Sequence, residues 1–260
     1  EGAFAYVYHV KAKYPIDDNV DFAVKKILCQ TPEQEQDAMK EISILKQVSH
    51  PNVLEIVGSS YGKNSDGVNE MLIVMPLFVL GTLQTVINKG AYPVSGVLSM
   101  CTEFQQSLPS VLAQCIDGLL AIHKLGFRHA DFKPDNVLLS IRDGCFYPVL
   151  TDFGSVTPLK QTVNTKKEAM EVQEYAACYT TASYRAPELW DVHFNSISSV
   201  VSVVVDGKAD IFSFGCIVYA VLFSRTPFES PQGLSSLAIL SGTYHIPLCT
   251  TSTSTTTATD

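Results

Sequence analysis

Positive charge is in short supply in this chain: 18 Lys and Arg stand against 26 Asp and Glu, a formal net charge of −8. Binding to a phosphate backbone runs on a basic surface, so this balance argues against a nucleic-acid protein. Patterned cysteine is lacking too. The seven Cys are scattered singly, with no CxxC and no His/Cys pair at metal spacing. That excludes a zinc-finger type of site and a disulfide framework, and reads as reduced cytosolic thiols filling core positions. Long hydrophobic runs are missing. Met71–Leu80 is broken by Pro76, and Ile211–Phe223 contains Ser213 and Gly215; both fall short of the roughly 20 apolar residues a spanning helix needs. No internal repeat is visible. No signal-peptide pattern follows Glu1, and a true N-terminal signal, a lipidation motif included, could precede it.

What is present suits a folded protein. Over 260 residues, 46% are hydrophobic and 17% charged, enough to bury a core in one large domain or two small lobes sharing a cleft. The first 28 residues alternate and are rich in Val, Tyr and Phe, which predicts strands over Ala5–Val10 and Phe22–Leu28 with a turn at Pro15–Asn19. Thr31-Pro32-Glu33 opens a helix, with Ala38, Ile42, Leu45 and Val48 at helical spacing and a stop before His50-Pro51-Asn52. Val53–Gly58 and Met71–Met75 read as buried strands around the turn-rich Gly62–Gly67. After Gly81 the pattern turns helical: Thr82–Asn88, Leu108–Leu125, Lys166–Tyr175 and Asp210–Phe223, the last expected to be buried on most sides, with short strands at Val137–Leu139 and Val149–Thr151. Ligands favour the cleft between two such lobes. The final residues, Thr250–Asp260, hold seven Thr and two Ser without periodicity and read as a disordered tail.

The densest signal is His129-Ala130-Asp131-Phe132-Lys133-Pro134-Asp135-Asn136, followed sixteen residues after Asn136 by Asp152-Phe153-Gly154. Phosphoryl transfer explains the set. A carboxylate must take or orient the proton of the attacking hydroxyl, a cation must neutralise the moving phosphoryl, and an amide oxygen with a second carboxylate must hold Mg²⁺. Asp131, Lys133, Asn136 and Asp152 supply these groups in that order. The two short strands would bring Asp152 back beside Asn136.

On these residues the sequence resembles the eukaryotic protein kinases, whose other signatures follow in order. The resemblance implies that Lys25, in Phe22-Ala23-Val24-Lys25, meets the ATP phosphates and pairs with Glu41. Lys26 points to the other face as a surface lysine. Gly2-Ala3-Phe4-Ala5-Tyr6-Val7 resembles the second half of a glycine-rich loop, with Ala5 in place of its third Gly. By the same resemblance Gly2 approaches the phosphates, Val7 and Ala23 cover one face of adenine and Leu138 the other. Met75-Pro76-Leu77-Phe78 falls at the gatekeeper and hinge, where adenine needs a C=O from Pro76 and an N–H from Phe78. Pro76 lacks only the N–H, so it can accept. Thr181, ahead of Ala186-Pro187-Glu188, implies a substrate-positioning contact with the catalytic Asp and Lys, and a Ser/Thr acceptor. Asp210 implies a tie from its helix to the backbone near His129.

A finer resemblance is to the Numb-associated kinase branch, carried by Gly2–Val10, Ile27–Gln30, Leu77-Phe78 before Gly81-Thr82-Leu83, and Tyr175-Ala176-Ala177. Asp152 to Glu188 spans 37 residues, long for an activation segment, and Lys166–Tyr175 is similar to that branch's helical insert. Two departures stand out. Ala130 sits where most kinases have an Arg that grips a phosphorylated activation segment. Switching by such a phosphate is therefore expected to be weak or absent, and Arg128, two positions earlier, is expected to point elsewhere. Kinases also continue past Pro247 with helices and an Arg that pairs with the Glu matching Glu188. Their absence suggests a truncated or mis-spliced chain with an unpaired Glu188. The Val-rich Ser198–Val205 reads as a β-prone insertion with an aggregation risk.

The expectation is an α+β, bilobal protein-kinase-like fold, truncated at the C-terminus. Residues 1–78 form the strand-rich N-lobe with the hinge at 75–81, residues 79–249 the helical C-lobe, and 250–260 the tail. The expected function is ATP- and Mg²⁺-dependent transfer to Ser/Thr hydroxyls of a protein substrate. The alternative is a nucleotide-binding pseudokinase or scaffold, inactive because of truncation. A small-molecule kinase of the aminoglycoside or choline type shares a similar loop, but the Ala186-Pro187-Glu188 motif argues against it. No nucleic-acid partner is expected. Membrane association would need a lipid anchor that these residues lack. The chain is expected to be cytoplasmic, and the branch resemblance implies a Golgi or endomembrane surface.

Overall fold

Residues 5–11, 21–88, 100–192 and 203–247 are described by the computed structural model of the protein. Gly2, the expected turn at Pro15–Asn19, most of Ser198–Val205 and the Thr-rich tail lie outside these residues.

Alternating Val, Tyr and Phe pair as predicted: β1 (Ala5–Lys11) runs antiparallel to β2 (Asp21–Cys29), with Val7 opposite Lys25. Helix α1 (Pro32–Gln47) opens on a reciprocal cap. The Thr31 hydroxyl accepts from the Gln34 N–H, and the Gln34 side chain accepts from the Thr31 N–H. Ala38, Ile42 and Leu45 bury one stripe of the helix, and Glu41 shares that buried side. Strand β4 (Asn69–Pro76) lies between β2 and β3 (Gly58–Lys63) in a four-stranded antiparallel sheet of order β1-β2-β4-β3.

The expected strand at Val53–Gly58 is corrected here. Strand β3 begins where that prediction ends, and it is a largely exposed edge. Val53 and Leu54 are buried for a different reason. Val53 bridges to Leu150, the Leu54 N–H donates to the Leu150 carbonyl at 2.9 Å, and Leu150 donates back to Asn52 O at 2.9 Å. An apolar run signals burial without naming its partner.

Helices then take over: α2 (Leu83–Asn88) and α3 (Met100–Lys124). Helix α3 starts eight residues before the predicted Leu108, because Phe104 continues the buried stripe of Leu108, Val111, Cys115, Leu119 and Ile122 through a polar stretch that hides it. Strand β5 (Phe127–Arg128) precedes the motif loop, and β6 (Val137–Arg142) and β7 (Cys145–Leu150) form the predicted hairpin. Short β8 (Thr157–Pro158) pairs with β5, and β9 (Gln161–Val163) leads into α4 (Lys166–Tyr179), capped by Thr165. Helix α5 (Pro187–Trp190) follows. Strand β10 (Val203–Val205) pairs with β9, so part of the Val-rich segment has a partner.

The α6 helix (Lys208–Phe223) buries Ala209, Asp210, Ser213, Cys216, Ile217 and Ala220. It is less enclosed than predicted. Phe212, Tyr219 and Leu222 line an apolar groove of about 460 Å³ with Phe228, Tyr244 and Ile246. The short β11 (Glu229–Ser230), β12 (Gly233–Leu234) and α7 (Ser236–Ser241) close the described chain. Among the described residues no helix is long and apolar enough to cross a membrane.

Gly118 shows how tightly α3 sits against Asn52 and β7: a Cβ there would lie 2.7 Å from the Asn52 carbonyl oxygen. In a helix interior Gly→Ala ordinarily gains up to about 1 kcal/mol, but the clash is with backbone that Leu150 also holds. Gly118→Ala is expected to lose about 1–2 kcal/mol net in urea unfolding. Gly62→Ala, with open space around it, should be close to neutral.

Candidate active site

Lys25 projects from the second strand and meets two acids from distant parts of the chain. Its Nζ donates to Glu41 Oε1 at 2.8 Å, to Glu41 Oε2 at 3.0 Å and to Asp152 Oδ1 at 2.9 Å. Glu41 is buried, whereas Asp152 keeps 48% of its side chain exposed. Asp152 adopts the left-handed backbone, φ 63°, a strained state for a non-glycine residue that surrounding contacts must hold.

The three charges shift one another. Burial pulls the Lys25 pKa down, but the Glu41 and Asp152 carboxylates outweigh it, so it lies above the ordinary lysine value. Burial also lifts Glu41 above the ordinary glutamate value, with the Asp152 charge adding to the rise and Lys25 opposing it. Asp152 is desolvated as well, yet Lys25, with His129 and Lys133, holds it below the ordinary aspartate value. Ionised Asp152 therefore contributes stability at neutral pH that is lost as pH falls through its folded pKa. Glu41 acts in the opposite sense and takes up a proton first on acidification.

The motif loop forms a second cluster. Lys133 Nζ lies 2.7 Å from Asp131 Oδ2 and donates to the Thr181 hydroxyl at 2.8 Å. The Thr181 N–H donates to Asp131 Oδ1 at 2.7 Å. Asn136 spends its amide nitrogen on the Asp131 carbonyl, at 2.9 Å, which leaves the amide oxygen for other work. The hairpin register pairs Val137 with Leu150, and the Thr151 N–H donates to Asn136 O at 3.0 Å, so Asp152 starts beside Asn136. Asp210 sits underneath, accepting from the His129 N–H at 2.8 Å and the Ala130 N–H at 2.9 Å. The His129 ring packs against Phe153 at 5.2 Å between centroids.

Among the residues expected to face adenine, Ala23 is buried and faces Met75 across the β2–β4 pair, with Phe22 opposite Pro76. Leu138 bridges to Thr82, just past residues 75–81, and the Leu139 N–H donates to Gly81 O at 2.9 Å. Val7 stands opposite Lys25 and is 67% exposed. Pro76 is exposed and Phe78 half-buried; both also line a separate cavity of about 520 Å³ with Leu45, His50 and Arg142. As predicted for a surface role, Lys26 turns the other way and pairs with Glu70 at 2.6 Å.

Several residues escaped the sequence reading. Lys40, next to Glu41, donates to the Val156 carbonyl at 2.6 Å and ties α1 to the chain after Gly154. His123 shares Asp210 at 2.7 Å. Arg185 donates to Thr180 Oγ1 at 2.7 Å and Thr180 O at 2.8 Å while stacking on Trp190. Arg128 is a correction: it does not point elsewhere but lines the same cavity as Ala130. Glu188 is half-buried and makes no ion pair among the described residues.

The protein kinase domain family profile matches residues 1–258. The chain is 34% identical to serine/threonine-protein kinase 16 of Rattus norvegicus over 229 residues, covering 88% of this chain and 68% of that protein. The Homo sapiens protein of that name gives 34% over 230 residues with the same coverage. Similarity extends to serine/threonine-protein kinase ENV7 of Saccharomyces cerevisiae, 25% identical over 304 residues, covering 95% of this chain and 79% of that one.

Removing Lys25 leaves Glu41 buried without its cation. Lys25→Met is expected to cost about 3 kcal/mol in urea unfolding at pH 8. The deficit should shrink as the pH is lowered, because Glu41, its pKa already raised by burial, takes up a proton, and Lys25→Met with Glu41→Leu should recover most of it. A deficit independent of pH would contradict this electrostatic account.

Proposed function

Because this chain belongs to the protein kinase domain family, and its relatives are serine/threonine-protein kinases, we propose that it transfers the γ-phosphate of ATP to serine and threonine hydroxyls of proteins with Mg²⁺. The nucleotide lies between a strand-rich lobe, residues 1–78, and a helical lobe, residues 79–249, with residues 75–81 crossing between them. The observation that carries the reading is the triangle of Asp131, Lys133 and Thr181, each within 2.8 Å of the next.

The donors suit the cofactor. Mg²⁺ takes oxygen ligands, uses one or two protein groups and draws the rest from phosphates and water. The Asn136 amide oxygen and the half-exposed Asp152 carboxylate are such a pair, and the described residues contain no denser cluster of ligating side chains. Bound there, Mg²⁺ would neutralise the charge of the phosphates. Lys25, oriented by Glu41, holds the α/β-phosphates. Ala23, Val7 and Leu138 cover the adenine faces, Met75 closes the back, and Pro76 C=O and Phe78 N–H meet its edge; Gly2 approaches the phosphates.

Asp131 accepts or orients the proton of the attacking hydroxyl. Lys133 places its ammonium against the developing phosphoryl charge. Thr181 binds both residues and so fixes the wall against which a protein substrate's hydroxyl is presented. By its resemblance to the Numb-associated branch, this chain is proposed to act at an endomembrane surface.

The test is transfer of labelled phosphate from Mg-ATP to a generic basic protein. Asp131→Asn should lower turnover about 10³-fold while the thermal shift induced by Mg-ATP is retained. A wild-type chain that shows the shift but no transfer would instead support the pseudokinase reading.

A further inference from the structure

A cavity of about 520 Å³ lies beside residues 75–81 and shares only Pro76 and Phe78 with the proposed nucleotide site. Its volume is that of a small-molecule site. Separate elements wall it. Leu45 and Lys46 come from the end of α1, Leu54 from the chain that follows, and Arg142 and Val149 from the β6–β7 hairpin. The cavity therefore sits where the strand-rich and helical parts are joined, by the Leu54 and Leu150 backbone bonds and by residues 75–81.

Its lining is divided. Leu45, Leu54 and Val149 are buried and make an apolar floor, whereas Lys46, Arg142 and Glu55 are exposed at the rim. Neither Lys46 nor Arg142 has an ion pair or a hydrogen-bond acceptor among the described residues. The Arg142 guanidinium lies over the Tyr147 ring, 3.9 Å from its centroid, which positions the group. His50 Nδ1 accepts from the Asn52 N–H at 3.2 Å, so the ring proton sits on Nε2 as a further donor. In a chain of net charge −8, this rim sets two cations against one carboxylate. A surplus of one positive charge above an apolar floor matches a monoanion with a carbon body, and falls short of neutralising a phosphate dianion.

We infer that this cavity is a regulatory site for an amphipathic monocarboxylate. The carboxylate meets Arg142 and Lys46, a contact that suits the guanidinium fork, and the apolar body lies on Leu45, Leu54 and Val149. Because the walls come from both sides of the junction, an occupant holds α1 and the hairpin in the arrangement where Lys25 is paired with Glu41 and Asp152. On the proposed function, on which this step rests, nucleotide and carboxylate then favour each other's binding by the same factor.

The experiment is calorimetric titration of the full chain with 4-biphenylcarboxylate, and with 4-biphenylmethanol as its uncharged counterpart. Apolar uptake at the groove beside α6 is common to both probes. The carboxylate should bind about tenfold more tightly than the alcohol. Lys46→Met with Arg142→Met should erase that preference while moving the unliganded melting midpoint by no more than about a degree, as both side chains are exposed. Hydrogen exchange at the Leu54 amide should slow on binding by a larger factor than at Ile73 in β4, whose release needs the sheet itself to open. Saturating carboxylate should lower the Kd of Mg-ATP about fivefold. Equal binding of acid and alcohol, a preference that the double variant keeps, or exchange slowed equally at both amides would overturn the site. An unchanged Kd for Mg-ATP would overturn its regulatory role. A chain that shows the preference and the exchange effect but binds no Mg-ATP would support the site and count against the proposed function.

Discussion

One buried carboxylate, Asp210, sets the frame for everything above it. It is 1% exposed and spends its oxygens on the His129 and Ala130 backbone N–H groups and on the His123 ring. Ala130 is held at φ 68°, a left-handed state that a non-glycine residue adopts only when its surroundings insist. The two backbone bonds supply that insistence. They turn the chain so that the next residue, Asp131, emerges toward Lys133 and Thr181. A core helix thus dictates the direction of the Asp131 side chain through backbone bonds to the two residues before it.

Above that frame the charges are arranged as a relay of shared partners rather than as isolated pairs. Lys25 answers to both Glu41 and Asp152, and Lys133 to both Asp131 and Thr181. Sharing keeps Lys25 from being locked to one carboxylate and gives Lys133 a hydroxyl beside its single carboxylate. An incoming phosphate then competes for groups already ionised and already oriented, which is what preorganised electrostatic catalysis requires.

Much of this was legible in the chain. Asp131, Lys133, Asn136 and Asp152 stand in two short runs joined by a hairpin, so local spacing alone brings them together. The Thr31 cap, the start of α1 and the apolar stripe along α1 also followed from local chemistry. What stayed hidden depends on partners remote in sequence. Lys40 meets a carbonyl 116 residues away, and His123 a carboxylate 87 residues away. Nothing in their own neighbourhoods announces either bond. The shift of β3 by five residues has the same origin: Val53 and Leu54 look like strand residues, but their burial is satisfied by β7 rather than by the sheet.

That last exchange has a mechanical consequence. The bonds among Asn52, Leu54 and Leu150 fasten the chain leaving α1 to the helical half of the molecule, while residues 75–81 make a separate covalent crossing. Two tethers define an axis. Opening and closing of the cleft would then be rotation about that line, with the free edge at β1 sweeping the widest arc and the far end of α1 hardly travelling. Under the proposed function, nucleotide would exchange at the mouth without uncoupling the glutamate-bearing helix from the floor it stands on.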